Sequence, residues 1–337
     1  FSSAWSLGDD MGTAAFSSST QYVTTSPTSS GAFFMEIYDK APTGASLDTT
    51  AEVQYSIAYG NKTGGGAEDF NDGAGADGFS AAKAVYSQYR NLVFGGDETQ
   101  NFNFNGHTPN HIYVINVNRA RYKNALRLGN FELQLSGSTH LLKLTDDSVT
   151  TSGSANANRA GVGREFNIVS GSSGTRLGTS NTYVTDSGSY GFIYPDAGFI
   201  VLNGDALDAT AAVNGITLGT TLTSDNNGEN PVKLQNAIKL GGKFILDSQE
   251  DISSKFYFCR VRNSEFNYST NDSFTENDGT IKHDSMIDNP QVYITTVGLY
   301  NDNQDLLAVA KLSQPLPKIL PKKLLLRLNS TINGWCI

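Results

Sequence analysis

The sequence is short of charge, of cysteine and of proline, and it contains no long apolar run. Charged residues make up 17% of its 337 positions, against about 25% in ordinary soluble domains. Two cysteines, Cys259 and Cys336, cannot form a disulfide framework. Cys259 lies in the aromatic run Phe256-Tyr257-Phe258-Cys259 and reads as a small buried hydrophobe. Such usage fits folding in a reducing cytoplasm. Nine prolines exclude a proline-rich linker protein. No stretch approaches the ~20 apolar residues of a membrane-spanning helix, and the polar, acidic residues 1–10 show no basic leader. Phe1 is not Met, so a fragment or a processed chain is expected. Basic residues are outnumbered, 24 to 33, for a net charge of −9. Nucleic-acid binding depends on Lys and Arg neutralising phosphates, so no nucleic-acid partner is expected. The same sign argues against an anionic membrane.

Uncharged polar residues and 34 glycines fill the space. Many short apolar runs among them predict strands joined by turns. The length suits two or three domains. The expected fold is α+β and mainly β, with antiparallel strands, hairpins and a few short helices. Residues 1–31 are Ser/Thr-rich and read as an extended arm. Residues 32–149 read as an α+β domain, 150–250 as a β-rich middle domain and 251–315 as a β-hairpin domain. Residues 316–337 form an atypical tail with four basic residues and no acidic one.

Within these limits the pattern places strands at 32–39 and 51–59. In the second, Val53, Tyr55, Ile57 and Tyr59 alternate with Glu52, Gln54, Ser56 and Ala58, the period of a half-buried strand. Ser80 caps a helix over 80–94 that Gly95-Gly96 stops. A strand follows at 111–118, then a short basic helix at 119–128. Residues 131–135 and 141–144 read as paired strands, and 165–169 as another. Pro195-Asp196-Ala197-Gly198 turns a hairpin over 190–202. Asn230-Pro231 opens a helix that Gly241-Gly242 closes. Residues 255–262 form a strand. A last hairpin, 291–299 with 305–312, is apolar on both faces and is expected to be covered on both.

Motifs of chemistry are few. His107 and His111 are four apart, but Pro109 stands between them and a strand follows, so they do not form a helical two-histidine site. His140 and His283 have no ligand-type neighbours. Asp69-Phe70-Asn71-Asp72-Gly73-Ala74 resembles the start of a calcium loop, but Ala74 replaces the turn glycine and no Glu closes it. Asp146-Asp147 reads as a turn. Gly161-Val162-Gly163 lacks the rest of a dinucleotide fingerprint, and Gly188-Ser189-Tyr190-Gly191 is not a nucleophile elbow. No catalytic residue, metal ligand or cofactor is therefore expected, and the chain is read as a non-enzyme.

Three stretches carry a resemblance. The first runs from residues 55–59 through 84–92 (AVYSQYRNL). The second is 112–123 (IYVINVNRARYK) followed by 129–133 (GNFEL). The third combines 265–269 (EFNYS), 294–300 (ITTVGLY) and 306–315 (LLAVAKLSQP). Together they resemble structural proteins of T4-like myophages, especially those infecting cyanobacteria. The resemblance implies a virion subunit of a contractile-tail particle, of the tail or baseplate, that assembles with copies of itself and with other virion proteins. The basic ending departs from that family's pattern; a shifted reading frame after about Gln314 would produce it.

In this reading, unpaired strand edges and the N-terminal arm supply the contacts. Removing residues 1–31 is expected to leave a folded core. Aromatic and arginine residues make the best anchors, and the candidates are Tyr86, Tyr89, Arg90, Arg119, Arg121 and Tyr122. The competing view is that the tyrosines fill the core and the arginines are solvated. The alternative function is a fibre-associated carbohydrate-binding module for a host surface glycan, although only Trp5 and Trp335 could serve as indole platforms. A polysaccharide-cleaving enzyme ranks third.

Overall fold

The computed structural model describes residues 10–17, 22–23, 34–39, 50–66, 80–97, 99–137, 140–150, 155–177, 189–222, 229–251, 253–262, 264–319 and 324–332. The described residues divide into two compact units, Asp10–Asp251 and those from 253 onward. The fold is mainly antiparallel β with a few short helices, the α+β class expected.

The first unit, Asp10–Asp251, contains β1 (Asp10–Ser17), β2 (Tyr22–Val23), β3 (Phe34–Tyr38), β4 (Val53–Asn61), α1 (Ala81–Phe94), β5 (His111–Val117), β6 (Ala125–Ser136) and β7 (Leu141–Asp146). It continues through β8 (Ala157–Arg159), β9 (Gly163–Ser172), β10 (Thr175–Arg176), β11 (Gly191–Tyr194), β12 (Phe199–Asn203), α2 (Gly204–Asp208), α3 (Asn230–Gly241) and β13 (Phe244–Asp251). One sheet joins the strands in the order β1-β13-β6-β7-β9-β11-β12-β5-β4-β3-β2, with β8 and β10 attached to β9.

The two end strands, β1 and β2, are linked by residues 18–21 alone. Five peptide steps span at most about 18 Å, whereas eleven flat strands would set their ends about 48 Å apart. The sheet must therefore curl. Packing agrees. Helix α3 lies against both β6 and β4, which five strands separate in the sheet. The Tyr55 ring of β4 meets Phe244 of β13 edge-on at 5.1 Å, and its hydroxyl donates to Gln235 of α3.

Period-2 alternation divides the central strands between two apolar clusters. Tyr113, Ile115, Ile193, Ile200 and Leu202 join an inner cluster with Leu234 and Ile238 of α3. Ile112, Val114, Phe192, Tyr194, Phe199 and Val201 join an outer one with Tyr86 and Val93 of α1 and with Phe102 and Phe104. Coverage on both faces explains why these strands read as near-continuous apolar runs.

The local signals act as read. The Ser80 hydroxyl accepts the Lys83 N–H and donates to the Gly64 carbonyl. Gly95, at φ +75°, ends α1 with its N–H on Asn91 O. Pro231 lies in the first turn of α3, and Gly242 ends it in the left-handed region. β11 and β12 pair around residues 195–198.

The helix expected over 119–128 is corrected. Only Arg119–Arg121 makes a single 3-10 turn, and Ala125–Ser136 is a long strand. Pairing with β13 and β7 satisfies its backbone and buries Leu126, Phe131, Leu133 and Leu135. Gly129, at φ +85°, lies where the register with β13 shifts between Ile245↔Glu132 and Asp247↔Arg127, so a bulge interrupts the strand instead of ending a helix. Two boundaries also change. β7 pairs directly with β9, so 32–149 and 150–250 belong to one sheet. The arm supplies both end strands, β1 on β13 and β2 on β3. Removing residues 1–31 would strip the sheet of both.

The second unit contains β14 (Ser253–Val261), α4 (Ser285–Asp288), β15 (Val292–Tyr300), β16 (Leu306–Lys318) and β17 (Leu324–Ile332). β14 pairs with β17, and β15 with β16, as two separate two-stranded ribbons. The atypical ending thus contributes strand residues to both. The hairpin turn closes where Asn301 Oδ1 accepts the Asp305 N–H at 2.7 Å.

Candidate assembly surface

Among the side chains of the second unit that the structure describes, Leu326 is the one large apolar side chain that is buried. On the β15–β16 hairpin one row, Val292, Ile294, Val297 and Leu299, is half-buried. The hairpin is not covered on both faces as expected: Tyr293 (60% exposed), Tyr300, Leu306, Leu307 (67%) and Val309 face outward. Phe258 on β14, Phe266 and Tyr268 in the connection that follows, and Ile287 on α4 are exposed as well. A two-stranded ribbon is marginal in water without a packed face. Covering the five exposed hairpin side chains would contribute on the order of 5–10 kcal/mol before ordering costs. Apolar exposure of this extent marks a contact surface.

The anchors proposed from sequence lie in the other unit. Tyr86 and Tyr122 are 2% and 6% exposed, so the core reading holds for them and they offer no surface to a partner. Tyr86 packs edge-on against Phe102, and burial pushes its hydroxyl pKa up. Tyr89 is half-buried against Phe199. Arg90 bonds Asn91. Arg121 pairs with Glu52. Arg119 lies over the Tyr122 ring at 4.6 Å and donates to the Tyr122 carbonyl at 2.6 Å. The sequence signal for this surface is the presence of apolar residues on both faces of 291–312, which leads to the expectation of cover on both.

The polar clusters hold elements together. His111 opens β5 almost fully buried. Its Nε2 is 3.0 Å from Asp208 Oδ2. Its Nδ1 is 3.3 Å from Asp205 Oδ1, a close approach without hydrogen-bond alignment. His107 Nε2 meets the other oxygen of Asp205 at 2.8 Å. The two histidines do converge, through the carboxylates of α2 and not through a helix of their own. Asp205 and Asp208 escaped the sequence reading; their spacing on a turn capped by Asn203 was the available signal. Burial pushes the Asp208 carboxyl up, but hydrogen bonds from His111 and from the Thr220 N–H and hydroxyl outweigh it and hold the pKa below the usual range. The cluster ties β5, α2 and residues 217–222 together. Among the described residues no group of three or more His, Cys, Asp or Glu is arranged to hold a metal.

Asp146 and Asp147 form the expected turn, but both are buried. Asp146 accepts the Gly129 N–H and the Ser148 hydroxyl. Asp147 accepts the Asn167 N–H and side-chain amide, and burial still pushes its carboxyl pKa up. His283 packs near Phe274. Gly163 takes φ +79° at the start of β9. The acidic loop at 69–74 and Gly188 lie outside the described residues. No described helix is long and apolar enough to cross a membrane. No protein-family model, no curated protein and no solved structure matches this chain.

Proposed function

We propose that this chain is a structural subunit of a tailed-bacteriophage virion, of the contractile tail or baseplate, that works by binding copies of itself and neighbouring virion proteins. The observation that carries the reading is the β15–β16 ribbon of the second unit, on which Tyr293, Tyr300, Leu306, Leu307 and Val309 stand exposed. The resemblance of residues 55–133 and 265–315 to myophage structural proteins supplies the context. A symmetric assembly repeats each modest contact, so a small patch per copy suffices for a durable particle. The buried histidine–carboxylate cluster reads as a fastening within the subunit, in keeping with a non-enzyme.

The test uses the full chain. Leu307→Asp combined with Val309→Asp changes two exposed side chains and should leave the melting temperature within about 2 °C of the parent. Light scattering after gel filtration should show assembled parent and dissociated variant, and the variant should be missing from purified phage particles. A parent chain that stays monomeric and is absent from those particles overturns the reading.

A further inference from the structure

A groove of about 410 Å³ on the first unit is lined by Glu36, Ser56, Asn116, Asn118 and Arg119, with Val53, Val117, Tyr122 and Ala197 beside them. Its floor is set by register. Glu36 on β3 lies opposite Ser56 on β4, and Ser56 lies opposite Asn116 on β5. Directly opposed residues share a sheet face, so a carboxylate, a hydroxyl and an amide stand in one row about 10 Å long. On the same face, Ala58 and Val114 form the next opposed pair, and Val114 belongs to the outer apolar cluster. The polar row begins where that cover stops.

The row retains unused hydrogen-bonding capacity. Glu36 accepts one bond, from the Tyr38 hydroxyl on Oε2. Ser56 and Asn116 have no side-chain partner among the described residues. Asn118 is spent: its amide donates to Val53 O and its oxygen accepts the Ala120 N–H. Arg119 is fixed by the Tyr122 ring and carbonyl through Nη1, which leaves Nε and Nη2 to act as donors. A guanidinium anchored in this way loses little freedom when it binds.

The geometry points to a binding site for a neutral sugar, one or two hexopyranose rings in length. Glu36 and Arg119 balance in charge, which disfavours a strongly anionic or cationic ligand. Alternating acceptors and donors on rigid strands match vicinal hydroxyls, and the half-buried Val53 and Ala197 can meet the apolar C–H face of a ring. A bound peptide strand is disfavoured on β4 and β5: along this row each is paired on both sides, so neither offers a free backbone edge.

The inference is independent of the assembly reading. Saturation-transfer NMR on the full chain, with methyl glycosides of glucose, galactose, mannose and N-acetylglucosamine at millimolar concentration, tests it. At least one sugar should receive magnetisation. Asn116→Ala and Arg119→Ala should each weaken that sugar about tenfold with unchanged circular dichroism, while Lys239→Ala on α3 should not. Glu36→Gln keeps the shape of the row and should weaken binding less than Glu36→Ala. Transfer to none of the four sugars, or transfer unaffected by the Asn116 and Arg119 variants, overturns the site.

Discussion

Glu132 offers the sharpest test of how the first unit is held together. Its side chain is 1% exposed on β6. It accepts hydrogen bonds from Lys243 at 2.9 Å, Gln134 at 2.7 Å, Ser172 at 2.8 Å and Ser173 at 3.0 Å. Burial alone would push its carboxyl up, but these four donors outweigh it and bring the pKa from 4.5 to about 2. A carboxylate whose folded pKa is lowered stabilises the fold above its unfolded pKa, and that contribution is lost as pH falls through the folded value. A fall of about 2.5 units at ~1.36 kcal/mol each corresponds to about 3 kcal/mol at neutral pH. Lys243 is 40% exposed, so solvent screening makes this an upper figure. At pH 3 the unfolded chain is mostly protonated at this position and the folded chain is not, which leaves about 1 kcal/mol. Glu132→Gln removes the charge while keeping the shape. Urea denaturation followed by near-ultraviolet circular dichroism should give a parent–variant gap of about 2–3 kcal/mol at pH 7 that narrows to about 1 kcal/mol at pH 3. A gap of the same size at both pH values would refute the claim that the network holds an ionised carboxylate.

Two further substitutions probe the same unit. Gly198 sits at φ +77° with the Tyr122 ring where a Cβ would stand, so Gly198→Ala should cost at least ~2 kcal/mol and lower the melting temperature measurably. His111→Ala removes a buried ring and the hydrogen bond it makes to Asp208. It should cost about 2–3 kcal/mol at pH 7 in urea denaturation, and less in acid, where Asp208 is protonated and its depressed folded pKa no longer stabilises the fold.

Much of the local structure was legible in the residues. The Ser80 cap with its Gly95 stop, the Pro195–Gly198 reversal and the Asn230–Gly242 helix rest on interactions within a few positions of each other, so spacing and residue type suffice to read them. The mainly antiparallel β class followed from short apolar runs broken by turns.

What lay beyond the sequence involves partners far apart along the chain. Residues 119–128 have helical composition, yet the amides of β6 bond to β13 more than a hundred positions away, and long-range pairing outweighs a local propensity worth tenths of a kcal/mol per residue. The curl that carries β1 round towards β2 comes from pairing eleven strands in one order. The Glu132 network, the His111 fastening and the Glu36–Ser56–Asn116 row each need side chains from three elements, and only strand pairing together with the packing of helices and loops sets them side by side. The hairpin at 292–318 shows the converse. Its two-sided apolar pattern announced that something covers it, whereas five of its large side chains stand exposed, a distribution that only the tertiary structure reveals.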